Sequence, residues 1–236
     1  MTTGDSGPGW GDLDAACDSS RLLGFLDEMA ALPAVAAGKR RSYGLLAPAP
    51  GDRLLDAGCG TGADAIALVP SVLPGGAVIG IDSSEAAVAT ARARAGDRAG
   101  LTFTRAELTA LPFPAAYFAA ARADRVLLHV DRAVVAVHEL LRVIRPGGRV
   151  VITEGRFTGV EWIPGREPPA SASGDILPAL PLILEHLGAI DIRVKRDDSD
   201  VVLSDDALAV IGVRGAAARL SVVHIAATVG AGSRTG

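Results

Sequence analysis

The chain has 236 residues, 49% hydrophobic and 21% charged, with a formal net charge of −4. That profile excludes a largely disordered chain and is long enough to bury a sizeable core. The 23 Lys and Arg are outnumbered by 27 Asp and Glu, so there is no basic surplus and a nucleic-acid partner is not expected.

Residues 1–11 are rich in Gly, Ser and Thr and read as a loose tail. Apolar residues at helical spacing predict a helix over 13–31, which Pro33 ends, and a second over 34–46 before Pro48. A short apolar strand follows at 53–57, then a Gly-rich turn at 58–62 and a helix over 63–69. A second strand at 77–81 runs into Asp82, and Ser84 can cap a helix over 85–95. A third strand is expected at 101–104, a weaker fourth at 116–121, a helix at 131–144 and a fifth strand at 149–153 after Pro146-Gly147-Gly148. Residues 157–173 read as a loop, 175–187 as a helix, and 190–195 and 222–228 as strands. Strand and helix alternating at this spacing predict a doubly wound α/β domain with a mostly parallel sheet, beginning near residue 51 behind a helical cap.

No uninterrupted run of 18 apolar residues occurs, and the first ten residues carry neither Lys nor Arg. Membrane insertion is therefore not expected, and a cytoplasmic location is. Cys17 and Cys59 are too few for a disulfide framework or a cysteine zinc site, and His129, His138, His186 and His224 lack ligand spacing, so no metal is expected.

The residues that carry chemistry cluster at the carboxyl ends of the first strands, where open α/β sheets bind ligands. Gly58, Gly60 and Gly62 follow the first strand in a G-x-G-x-G spacing, not the G-x-G-x-x-G of dinucleotide binders. They either let a ligand approach the backbone or build a tight strand-to-helix turn. Asp56, just before the turn, suits a cationic ligand such as an amino-acid ammonium better than a pyrophosphate. Asp82, 22 residues after Gly60, can accept both hydroxyls of a ribose diol, or cap the next helix. Glu107 follows the third strand and can accept from an exocyclic amine, or be a solvated loop residue.

With these motifs the chain resembles class I S-adenosylmethionine-dependent methyltransferases, of the ubiquinone/menaquinone-methyltransferase-like, type 11 group. The resemblance spans about residues 39–154 and rests on Leu54 to Gly62, on Gly80-Ile81-Asp82-Ser83-Ser84, on Glu107 with Leu111-Pro112-Phe113, on Arg125 to Val130, and on Glu139 to Gly148. It implies a Rossmann-like seven-stranded sheet, residues 1–50 as tail and helical cap, and residues 51–236 as the S-adenosyl-L-methionine-binding domain. It implies that the Asp56–Gly62 turn, with Cys59, holds the methionine part of the cofactor, that Asp82 with Ser83 holds the ribose, and that Glu107 with Leu108 holds the adenine. Tyr43 and Asp64 lie where relatives touch the cofactor, and Arg122 completes the expected set. The sequence departs from the family at Glu107 and Ala119, where Asp is usual.

The chemistry so implied is in-line methyl transfer to a small-molecule acceptor at O, N or C, plausibly in secondary metabolism, by a monomer or homodimer. His129, after the fourth strand, is the candidate base, with a packing role as its alternative. His224, inside an apolar strand, is expected to be a satisfied core histidine. The acceptor pocket is expected from the N-terminal helices, from residues 122–129, and from Arg156, Phe157 and Trp162. Two other functions share parts of the pattern: a methyltransferase-fold protein that does not methylate (a cyclase or binding protein), and a nicotinamide-dependent oxidoreductase, which the glycine spacing and Asp56 oppose.

Overall fold

The structure, a computed structural model, describes residues 19–158, 161–162, 176–201, 213–214 and 218–231. The expected N-terminal tail, the start of the first helix and residues 163–175 lie outside them.

Two helices, α1 (Ser19–Ala31) and α2 (Pro33–Leu46), precede the sheet. Leu32 is extended and Pro33 occupies the first turn of α2, where a missing N–H costs nothing, so the break expected at Pro33 starts the second helix. Then β1 (Arg53–Ala57), α3 (Ala63–Val72), β2 (Ala77–Asp82), α4 (Glu85–Ala95), β3 (Leu101–Arg105) and β4 (Phe118–Asp124) alternate as the spacing predicts. A 3-10 turn, η1 (Leu127–His129), leads to α5 (Ala133–Val143), β5 (Ile144–Thr158), the short β6 (Glu161–Trp162) and α6 (Leu180–His186). The chain ends in β7 (Ala189–Val201), β8 (Val213–Arg214) and β9 (Ala218–Val229).

Seven strands form one sheet in the order β3-β2-β1-β4-β5-β9-β7; β6 and β8 pair separately. The first five are mutually parallel, and β9 runs antiparallel to both β5 and β7. Strand order reverses between β1 and β4, which places the switch point, and the crevice beyond the carboxyl ends, at Ala57 and Asp124. Alternation along the strands sends Leu54, Val78, Ala120, Val151 and Ala226 into a core shared with Leu46, Leu68, Val72, Val88 and Ala91. The opposite face packs Leu55, Ala121, Ala123, Ile152 and Ile225 against Val137, Leu140, Leu180 and Leu184. Thus α2, α3 and α4 cover one face and α5 and α6 the other.

Several elements differ from expectation. β4 begins later and runs through Asp124. Its apolar pattern stops at Ala121 because Arg122 and Asp124, two residues apart, share the face occupied by a charge cluster. The Pro146-Gly147-Gly148 turn lies inside β5 as a register slip: Phe118 pairs with Ile144, but Ala120 pairs with Arg149. Phe157 and Thr158, expected in a loop, extend β5 against Leu220 and Arg219, and Glu161–Trp162 is a strand. α6 is confined to Leu180–His186, and β7 is roughly twice the expected length because it follows β9 over its whole run. Among the described residues no helix is long and apolar enough to cross a membrane.

Candidate cofactor and acceptor site

The glycine turn is built from inside. Gly58, Gly60 and Gly62 have φ of +70°, +51° and +82°, a region that side chains rarely adopt. The space a Cβ would need at Gly58 is filled by the Val126 side chain, and at Gly62 a Cβ would lie 2.7 Å from Phe103. At Gly60 the nearest atom is Leu26 Cδ1 of α1, 3.2 Å away. The protein's own side chains therefore occupy the Cβ directions that the sequence left open to a ligand. The backbone N–H of Cys59 donates to Ile81 O at 2.8 Å, which ties the turn to the end of β2.

Asp82 organises the same region. Its carboxylate accepts from the N–H of Gly60 at 2.9 Å and of Ser84 at 3.0 Å. The helix cap itself is Ser84, whose Oγ accepts from Ala87 N at 3.1 Å. Asp82 therefore sits beside the start of the helix as well as beside the glycine turn, and it remains part-exposed next to Ser83. Glu107 is exposed two residues past β3, and Leu108 beside it is buried. Ala106 N donates to Asp82 O at 3.0 Å, so the expected ribose and adenine residues lie along one edge.

Asp56 and Arg122 behave differently from expectation. Asp56 is 1% exposed, and its Oδ1 accepts from Arg122 Nη1 at 2.9 Å. It was expected to meet a ligand ammonium; instead an internal guanidinium from the neighbouring strand already neutralises it. Arg122, also 1% exposed, bonds Asp124 Oδ2 at 2.5 Å and pairs with Asp64 Oδ2 at 3.0 Å. Expected as a cofactor contact, it is in this structure the hub of a buried ion network, on which three carboxylates converge. Lys39 Nζ reaches Asp64 Oδ2 at 2.5 Å, the Tyr43 hydroxyl donates to Asp64 Oδ1, and Arg125 Nε bonds Asp124 Oδ1 at 2.9 Å. The network balances three carboxylates with three cations. Asp56 Oδ2 and Arg122 Nε are left buried without hydrogen-bond partners.

The electrostatics follow from burial and pairing. Burial pushes the Asp56 carboxyl up to about 6, against the pull of Arg122. Burial also acts to raise Asp64, but Arg122 and Lys39 outweigh it and hold Asp64 well below the usual carboxylate range. Asp124 is lowered too, burial being overcome by Arg125 and Arg122. Burial and the Asp64 charge push the Tyr43 phenol up, so it stays a donor. Burial, then the charges of Asp56 and Asp82, push the Cys59 thiol up, which keeps it uncharged and inert at neutral pH.

Beside this network lies a cavity of about 250 Å³ between α1, α2 and the start of α3, lined by Lys39, Tyr43, Ala63 and Asp64. α1 is pinned over the glycine turn. Arg94 grips both carboxylate oxygens of Asp27 at 2.7 and 2.6 Å, and Thr61 Oγ1 donates to Asp27 at 3.3 Å. The N-terminal helices thus close the site from above, as a cap should.

His129 ends the 3-10 turn after β4 and is exposed; the protein packed around its ring lowers the imidazole pKa by desolvation. His224 is fully buried in β9. Its Nδ1 lies 3.0 Å from Thr153 Oγ1, while Nε2 lacks a hydrogen bond and sits 3.4 Å from Asp197 Oδ2. It is a core histidine, but half satisfied. The side chains of Arg156, Phe157 and Trp162 lie outside what is described.

The structure adds Lys39, Asp124, Asp27 and Glu154, which the sequence reading did not single out. Lys39 and Tyr43 are four apart on α2, and Arg122 and Asp124 two apart on a buried strand; both spacings put polar pairs on one face.

Residues 55–152 match the family model described as a methyltransferase domain. A demethylmenaquinone methyltransferase from Beutenbergia cavernae is 36% identical over 126 residues, 53% of this chain and 49% of that protein. Phosphoethanolamine N-methyltransferase 2 of Haemonchus contortus superposes with a TM-score of 0.70 at 16% identity, covering 94% of this chain and 60% of that one. The [4+2]-cyclase SpnF superposes with a TM-score of 0.66 at 20% identity, covering 98% and 100%. The chain spans about half the length of the curated relatives it matches, or less.

Proposed function

We propose that this chain, whose residues 55–152 match a methyltransferase domain, transfers a methyl group from S-adenosylmethionine to a small-molecule acceptor. The observation that carries this reading is Asp82. A carboxylate at the carboxyl end of β2, tied to the glycine turn through Gly60 N, presents a hydrogen-bonding anion to a ribose diol at the switch point of the sheet. The residues present fit the cofactor. Lys39, Tyr43 and Asp64 line the cavity of about 250 Å³ and offer both charge signs to an amino-acid zwitterion.

S-adenosylmethionine, when bound, supplies an already activated methyl group on sulfur. The chain's own work is then mainly to hold and align. Asp82 and Ser83 take the ribose hydroxyls. Leu108 packs on the adenine and Glu107 accepts from its amine. Lys39, Tyr43 and Asp64 hold the amino-acid part, and the α1–α2 cap excludes water. Such positioning can lower a barrier by about 7–11 kcal/mol. His129, held neutral by its lowered pKa, accepts the acceptor's proton at an imidazole nitrogen.

Incubation with methyl-tritiated cofactor and a panel of hydroxylated aromatic acceptors tests this. Label moving to an acceptor, with a mass gain of one methylene, is expected. A chain that binds the cofactor yet never consumes it would be a non-methylating member of the fold.

A further inference from the structure

Glu154 stands apart from the charge network. It is fully buried on β5, on the face of the sheet opposite Arg122 and Asp124. Its Oε1 accepts two backbone N–H groups, from Val126 at 3.1 Å and Leu127 at 2.8 Å, the residues that open the 3-10 turn ending at His129. Its Oε2 is buried without a hydrogen-bond partner. A lone buried carboxyl is costly, and it is kept where it satisfies groups that would otherwise be orphaned. Here those groups are the first donors of a turn that has no side-chain cap of its own.

Val126 joins that turn to the cofactor side. Its side chain fills the notch left by the missing Cβ of Gly58. Arg125 N, one residue earlier, donates to Thr153 O at 2.6 Å, so the turn is tied to β5 on the N-terminal side of Glu154's attachment as well. A continuous path therefore runs from Glu154 through the Val126 backbone and side chain to the glycine turn, and through Leu127 to His129.

We propose that Glu154 is a positioning residue: its carboxyl clamps the turn after β4, so that Val126 seats the glycine turn for the cofactor while His129 is held at the acceptor side. The inference rests on the methyltransferase reading only for what the glycine turn binds. Burial pushes the carboxyl up to about 8, with the Asp124 charge adding to the rise and the Leu127 and Val126 N–H groups and Arg125 opposing it. Clamping strengthens as Glu154 ionises, because a carboxylate oxygen is the better acceptor.

The test uses the full chain, amide NMR and calorimetry with S-adenosylhomocysteine. In the wild type the Val126 and Leu127 amide protons should move downfield as pH rises through about 8. In Glu154→Gln, whose carbonyl still accepts both N–H groups, they should not titrate, while at pH 6, where the wild-type carboxyl is also uncharged, S-adenosylhomocysteine affinity should fall far less than in Glu154→Ala. Glu154→Ala should weaken S-adenosylhomocysteine binding about tenfold or more, the equivalent of a lost charge-assisted hydrogen bond. Val126→Ala, which folds without touching the carboxyl, should weaken it as well while the Leu127 amide keeps its titration. Wild-type amides that do not titrate, or Val126→Ala binding as wild type, would overturn the proposal. Failure of the wild type to bind S-adenosylhomocysteine would overturn the cofactor arm and the methyltransferase reading together, and the amide titration would still decide whether Glu154 clamps the turn.

Discussion

Replacing Arg122 by Met keeps an unbranched stem of four heavy atoms but removes the cation at the centre of the buried network. The guanidinium bonds Asp56 at 2.9 Å and Asp124 at 2.5 Å and lies 3.0 Å from Asp64. The side chains involved are 2% exposed for Arg122, 1% for Asp56, 12% for Asp64 and 8% for Asp124, so water cannot take over its role. Three carboxylates would then share Lys39 and Arg125. Breaking a buried pair from one side costs about 3–5 kcal/mol, a large part of an ordinary domain's stability of about 5–15 kcal/mol. Urea denaturation at pH 7.5 and pH 5 measures it. The sign with pH is fixed by the same contacts. In the wild type, Asp64 and Asp124 are held low, so their contribution is present above about pH 4 and is lost as pH falls through their folded-state values. Asp56 is held high, so its contribution is present below about pH 4 and is lost as pH rises through about 6. Without Arg122 all three carboxyls rise and take up protons on acidification. The deficit should therefore be largest at pH 7.5 and shrink toward pH 5. A deficit under about 1 kcal/mol, equal at both pH values, would refute the view that Arg122 holds the network together.

Gly62→Ala should destabilise the chain by more than about 1 kcal/mol, because a Cβ at φ +82° would meet Phe103 at 2.7 Å; thermal melts read the loss. Glu154→Gln should change stability with pH in one direction. The folded pKa near 8 lies above the ordinary 4.5, so the wild-type contribution is present below about 4.5 and is lost as pH rises through 8. The variant should therefore melt higher than the wild type at pH 9, and the gap should close at pH 5. His129→Ala should leave S-adenosylmethionine affinity intact and slow turnover of a hydroxylated acceptor by about 10²–10⁴-fold, the range for a lost general base. Unchanged turnover would reduce catalysis to alignment alone.

The order of strands and helices through β5 was legible because parallel strands buried on both faces read as short apolar runs between turn signals. β1 and β2 came through for that reason, and the positions of the glycine turn and Asp82 at the strand ends came with them. β4 was placed too early because Arg122 and Asp124 break its apolar run. Arg122 is neutralised in part by partners 66 and 58 residues away, at Asp56 and Asp64, and a linear pattern does not show such pairing. The same distance effect hides the pairing of Asp56, a strand-end carboxylate whose guanidinium partner lies 66 residues away. Glu154 was invisible for a related reason. Its worth lies in two backbone N–H groups of a turn 27 and 28 residues upstream, and backbone donors leave no mark on the sequence. The long β7 and β9 were underestimated because mutual pairing extends both edges beyond their apolar centres.

The most direct trial of the account is calorimetric titration of S-adenosylmethionine into the folded full-length chain, beside Asp82→Ala. Saturable binding is expected in the wild type, weakened by about 1–3 kcal/mol in the variant, the cost of leaving ribose hydroxyls unpaired. A folded wild type that gives no binding at millimolar ligand, or a variant that binds just as tightly, would contradict it.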